Sequence, residues 1–156
     1  MIKYDRLAKF VTVAVWVGVT FIFIRNIFAC RFDILKLLSL NILLVIVLIV
    51  PYLFSLRDVR VADGCIVIKR VLGKITIPFE NVAKVNLLPS IGLFRVRLLG
   101  SFGLYGYFGY FYIPKLGLVR MYATRLHDLV LIECKDGRKF IVSPKDSYKF
   151  VEEFFL

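Results

Sequence analysis

Residues 37–56 read LLSLNILLVIVLIVPYLFSL, twenty consecutive residues without a charge, bounded by Lys36 and Arg57. As a helix this run rises about 30 Å, the thickness of the hydrocarbon layer of a bilayer. Asn41 is its one strongly polar interruption, and Pro51 lies near the far end, where a kink is tolerated. The stretch therefore reads as a membrane-spanning helix, and the chain changes character on either side of it.

Upstream, Phe10 to Ile24 (FVTVAVWVGVTFIFI) is a second apolar run of fifteen residues between Lys9 and Arg25. Fifteen is short of the usual ~17–25, and a basic start before an apolar stretch also opens a signal peptide. No small-residue cleavage site follows, because the run ends in Phe-Ile-Phe-Ile-Arg. A retained helix over about residues 7–28, with Lys9 and Arg25 reaching to the interfaces, is the better reading. With the second helix at about 37–56, residues 1–56 are expected to form a two-helix transmembrane hairpin. Lys3, Arg6 and Lys9 before it and Arg57, Arg60, Lys69, Arg70 and Lys74 after it outnumber Arg25, Arg31 and Lys36 around its linker. That excess predicts both chain ends on the cytoplasmic side of a multi-pass protein of the cell membrane. Asn41 reads either as a polar site in the membrane or as a partner of Thr12 or Thr20 on the other helix.

Composition agrees with this division. Apolar residues make up 60% of the chain and mean hydropathy is +0.80, against about 45–50% apolar in ordinary soluble domains. Net charge is +11, from 22 basic and 11 acidic residues. The basic excess fits either the usual cytoplasmic bias or attraction to anionic headgroups, each nearby Lys or Arg contributing about 1 kcal/mol. No Lys/Arg-rich run or nucleic-acid motif accompanies it, so nucleic acid is not an expected partner.

From residue 57 onward the apolar residues come in short alternating runs. Val59 and Val61, then Ile66 and Ile68, flank Asp63-Gly64, a favoured hairpin turn. Further strands are predicted around 74–77, 82–85, 93–98, 117–123, 129–134 and 139–142, the last two joined across Lys135-Asp136-Gly137-Arg138. About seven strands with regular turns indicate an antiparallel barrel or sandwich. Ser143-Pro144-Lys145-Asp146 then has the form of a helix start. Tyr148, Val151, Phe154 and Phe155 follow at helical spacing, predicting an amphipathic helix over about 144–155 that caps the barrel.

Two amino-terminal membrane helices, some seven strands and a terminal helix resemble the bacterial pleckstrin-homology-like membrane proteins. The resemblance is most specific at Gly100-Ser-Phe-Gly-Leu-Tyr-Gly-Tyr-Phe-Gly-Tyr-Phe111. Leu116-Gly117, Tyr122-Ala123-Thr124-Arg125, Lys135-Asp136-Gly137 and Ser143-Pro144 reinforce it. It covers roughly residues 57–156 and implies an α+β chain with a PH-like antiparallel β-barrel, a cytoplasmic location and no enzymatic activity. It brings no ligand and no binding residues.

The most distinctive segment is 100–111, where Gly103, Gly106 and Gly109 recur among Phe102, Tyr105, Tyr107, Phe108, Tyr110 and Phe111. A dinucleotide fingerprint needs a helix opening at the glycines, and here the flanks are strands. Three readings stay open: a glycine-kinked strand pair or loop packing its rings on the sheet, a loop dipping into the membrane, and an aromatic surface for a partner protein. Arg95 and Arg97 alternate on the strand leading in, and Arg120 and Arg125 flank the strand leading out. Together they form either a solvated strand face or a basic patch suited to lipid phosphates.

Catalytic and metal chemistry find no constellation. His127 is the only histidine, no nucleophile-elbow sequence occurs, and Cys30, Cys65 and Cys134 are too far apart to read as a disulfide framework or zinc site. The chain is therefore expected to be a non-enzymatic, cofactor-free binding or assembly module. Three roles remain: protein–protein interaction, including self-association; sensing of anionic lipid headgroups; and service as an accessory subunit of a transport or secretion complex.

Overall fold

The computed structural model describes residues 4–29, 34–91, 96–114 and 116–155, excepting the side chains of 29, 34, 36, 37 and 96–98. Two helices open the chain, α1 (Arg6–Ala29) and α2 (Ile34–Phe54). Among the described residues nine strands follow: β1 (Leu56–Ala62), β2 (Cys65–Arg70), β3 (Lys74–Pro78), β4 (Val82–Ser90), β5 (Val96–Gly103), β6 (Gly106–Ile113), β7 (Gly117–Ala123), β8 (His127–Cys134) and β9 (Lys139–Val142). The helix α3 (Ser147–Phe155) ends the chain.

Among the described residues one helix, α1 over Arg6–Phe28, is long and apolar enough to cross a membrane. The apolar part of α2, Leu38–Phe54, is shorter. Both helices leave large side chains uncovered, Phe10, Phe21 and Phe28 on α1 and Leu35, Ile42 and Leu43 on α2 among them. Asn41 does not pair as expected. Thr12 Oγ1 donates to the Ala8 carbonyl and Thr20 Oγ1 to that of Trp16, and the buried Asn41 Oδ1 has no hydrogen-bond partner.

The expected single barrel of about seven strands is instead, among the described residues, two sheets with nine strands. β1, β2 and β3 form one antiparallel sheet, and β4-β8-β9-β7-β6-β5 form the other. A 3-10 turn, Phe79–Asn81, separates β3 from β4, and these two strands are not paired, so the barrel is not closed. The glycine–aromatic segment, outside the predicted strands, supplies β6 and the end of β5, paired as a hairpin. Residues 93–95, part of the expected strand over 93–98, lie outside the described residues.

Local sequence accounts for most of this. Asp63 and Gly64 both take positive φ, 52° and 69°, the mirror-image turn that matches strand twist. Their hairpin sets Val61 opposite Ile66 and Val59 opposite Ile68, so one face of the small sheet is apolar. That face meets Val130, Ile132, Phe140 and Val142 of the large sheet in the first core cluster. Alternate residues of the same strands, Leu129, Leu131 and Ile141, point to the other side and join Tyr107, Phe111, Val119 and Met121 in a second. Ala8 and Tyr4, at the start of α1, complete that second cluster.

The C-terminal helix begins later than predicted. Asp146 is its cap, accepting from the Tyr148 and Lys149 N–H groups at 3.1 Å each. Ser143, expected in that role, instead accepts the Thr124 N–H at 2.8 Å. The buried seam is Ser147, Phe150, Val151 and Phe154, with Phe154 edge-on to Phe79 at 4.9 Å. Tyr148 and Phe155, expected to face the core, are 73% and 70% exposed.

Candidate functional site

The β5–β6 hairpin is tight because its glycines allow it. Gly100 and Gly109 lie opposite each other, and a Cβ on either would come within 2.1 Å of a carbonyl oxygen of the facing strand. Gly103 and Gly106 close the last pair before the Leu104-Tyr105 turn, where Tyr105 itself has φ 56°. The every-third-residue glycines thus serve close backbone approach and a two-residue turn.

The aromatic rings divide between three places. Tyr107 and Phe111 are fully buried in the second core cluster, with Phe102 packed edge-on to Tyr107 at 5.0 Å. Burial, and secondarily the Asp5 carboxylate, pushes the Tyr107 hydroxyl up to about 12, and that hydroxyl has no hydrogen-bond partner. Phe108 and Tyr110 point to the opposite face. Tyr105, at the tip, reaches the helices: it accepts a hydrogen bond from Trp16 Nε1 at 2.9 Å and stands edge-on to Tyr52 at 5.5 Å. Its backbone N–H donates to Thr12 Oγ1 at 3.0 Å. The hairpin tip is therefore fastened to both α1 and α2.

Two further joints tie the helices to the β domain. The Asp5 N–H donates to the Thr124 carbonyl, and the Val71 and Leu72 N–H groups donate to the carbonyls of Ser55 and Leu53. The start of α1 and the end of α2 thus meet the same domain.

Of the four arginines expected in a basic patch, Arg120 and Arg125 are the ones whose side chains are described. Arg95 and the side chain of Arg97 lie outside the described residues. Arg125 is 6% exposed, and its guanidinium donates to the carbonyls of His127, Asp128 and Pro144 at 3.1, 3.4 and 2.9 Å. It clamps the β7–β8 connection to the segment before α3, and those carbonyls take up its donors. Arg120 stacks over Tyr110 at 5.0 Å and Phe140 at 5.9 Å.

Sequence reasoning missed a fifth arginine, Arg70, at the end of β2. It lies over the rings of Phe54 at 5.5 Å and Tyr122 at 6.0 Å, and its buried Nε has no hydrogen-bond partner. It lines a cleft of about 630 Å³ between α2 and the β5–β6 hairpin, whose walls include Val47, Val50, Phe54, Leu99, Phe102 and Tyr110. No local motif marks Arg70; the strands and α2 bring these residues together from distant parts of the chain.

One face of the large sheet is only partly covered. Tyr122 and Phe140 on that face pack against the three-stranded sheet, but farther out Leu99, Tyr112 and Leu118 are 70%, 49% and 53% exposed. Tyr112 pairs with Leu118, and Leu99 with Tyr110, so these residues share a face beside β5, the last strand of its sheet. Among the described residues no three His, Cys, Asp or Glu side chains could hold a metal ion.

No curated protein and no solved structure matches the chain. The family model described as a bacterial PH domain matches residues 57–154, which takes in β2 to β9 and nearly all of β1 and α3. Domains of this family are typically non-catalytic binding modules. The two sheets and closing helix described above accord with that match, and the chain belongs to the bacterial PH domain family.

Proposed function

We propose that this protein is a non-catalytic assembly module, anchored at the cytoplasmic face of the cell membrane by α1 and α2 as two spanning helices. Its task is to bind a protein partner, a second copy included. The observation that carries the reading is the apolar row Leu99, Tyr112 and Leu118 beside the terminal strand β5. An exposed apolar row at a strand end is a surface on which another chain can add a strand or pack a helix.

The anchoring is supported by the joints at both helices, which bring the start of α1 and the end of α2 to the same domain, as a two-span hairpin requires. The eight basic residues flanking the hairpin against three around its linker favour the cytoplasm for that side. On this account residues 1–56 are the membrane unit and 57–156 the binding unit.

A photo-reactive side chain at Tyr112 or Leu118, in intact membranes, should cross-link to one discrete protein species, its mass separating self-association from a distinct partner. The same probe at Lys135, on the β8–β9 turn, should give none. A clean folded chain without cross-links at either position would reject the binding surface. The topology is checked separately by reporter fusions: one after residue 31 should be active only outside the cytoplasm, one after residue 156 only inside.

A further inference from the structure

Arg70 is a cation in the wrong surroundings for an ordinary surface residue. Among the described residues it has no ion-pair partner, and its buried Nε has no hydrogen-bond partner. Among the described residues it lies against the faces of Phe54 and Tyr122 and near Gly73. A partly buried guanidinium with an orphaned Nε–H loses hydration without compensation, unless an anion supplies it. Arginine's planar fork is also the side chain best matched to phosphate oxygens.

The cleft beside it has the polarity of an amphiphile. Arg70 lies near Phe54, at the domain end of α2, whereas Val50 and Val47 extend the cleft wall along the helix by about 10 Å. Opposite them stand Leu99 and Phe102 of the hairpin. One end is therefore cationic and at the level where α2 leaves the membrane; the other is apolar and runs toward the bilayer interior. At about 630 Å³ the space admits part of an acyl chain and its ester region.

We propose that this cleft binds a single anionic glycerophospholipid from the surrounding bilayer, its phosphate on Arg70 and one acyl chain along Val50 and Val47. The inference rests on the reading of α2 as a membrane segment. It differs from a diffuse basic patch because one arginine and one apolar wall define the site. A seated lipid would join α2 to the β5–β6 hairpin and so add to the joints that hold the domain against its helices.

The full-length chain in detergent, titrated with phosphatidylglycerol and with phosphatidylcholine and followed by native mass spectrometry, tests this. The unaltered chain should take up one phosphatidylglycerol with at least tenfold preference. Arg70→Gln should abolish that preference, whereas Lys69→Gln, removing an exposed charge from the neighbouring position, should leave it intact. Val50→Trp, which fills the apolar end from α2 without touching the domain core, should block uptake of both lipids. Equal losses from Arg70→Gln and Lys69→Gln would reduce the effect to general surface charge and overturn the site. Unchanged binding by Val50→Trp, or full competition by free glycerol phosphate, would overturn the seated chain. Failure of lipid uptake with the expected reporter topology removes the cleft alone, whereas failure of the reporters removes the anchoring.

Discussion

Tyr107 shows how a single residue in this domain balances packing against polarity. Its ring fills the second core cluster at 0% exposure, yet its hydroxyl is buried there without a partner. An unsatisfied buried hydroxyl costs about 1–3 kcal/mol. Tyr107→Phe keeps the ring and removes the cost, so the variant should be more stable by about 1 kcal/mol in thermal or denaturant unfolding. The pH dependence follows from the raised value, from the ordinary 10.0 to about 12, caused first by burial and then by Asp5. A group raised in the folded state contributes its full share below the unfolded value, and that share is lost as pH rises through the folded one. The advantage of Tyr107→Phe over the unaltered chain should therefore widen between about pH 10 and 12. A constant difference across that window would mean that the hydroxyl finds water or a partner.

At the scale of elements, the β5–β6 hairpin depends on contact between backbones rather than side chains. Gly109 has φ 120°, and a Cβ there would sit 2.1 Å from the Leu99 carbonyl oxygen. Backbone cannot swing aside as a flexible side chain does, so Gly109→Ala should cost about 3 kcal/mol or more. Gly137, in the β8–β9 turn, also has positive φ, 84°, but open space around it. Gly137→Ala should lose only about 1 kcal/mol. Comparing the two melting temperatures separates conformational strain from crowding, and equal losses would contradict the tight strand approach. The glycine spacing was legible as a kinked strand pair, but the same letters also fitted a membrane-dipping loop. Nothing local distinguishes a ring in a core from one at a headgroup, because both surroundings favour aromatic residues.

For the molecule as a whole, helices and domain are interlocked rather than strung together. Ala8 is 1% exposed within the second cluster, Thr12 accepts from the Tyr105 N–H, and the Asp5 N–H reaches Thr124. A fragment of residues 57–156 would uncover part of that cluster and the hairpin tip. It should exchange its Tyr105 and Tyr107 amides far faster than the full chain and bind an apolar dye, while the β1–β3 sheet stays protected. Protection equal to that of the full chain would show an autonomous domain. The family match begins at residue 57 and is silent on this dependence.

What the order of residues determined alone is what depends on local pattern. Continuous apolarity marks α1 and α2, Asp63-Gly64 and Asp136-Gly137 place two turns, and alternation after residue 57 marks a β domain with a closing helix. These features follow from interactions within a few residues, so a short window contains their cause. Sheet closure, the clamp made by Arg125 and the cleft beside Arg70 have no such window. Arg125 looks like any arginine beside a strand until the carbonyls of His127 and Asp128, at the start of β8, and of Pro144, before α3, surround it. Arg70 gains meaning only when Phe54, Tyr122 and the β5–β6 hairpin arrive from positions far along the chain. Burial and pairing are properties of the assembled sheets, and only tertiary structure decides which charges stay in water and which are held away from it.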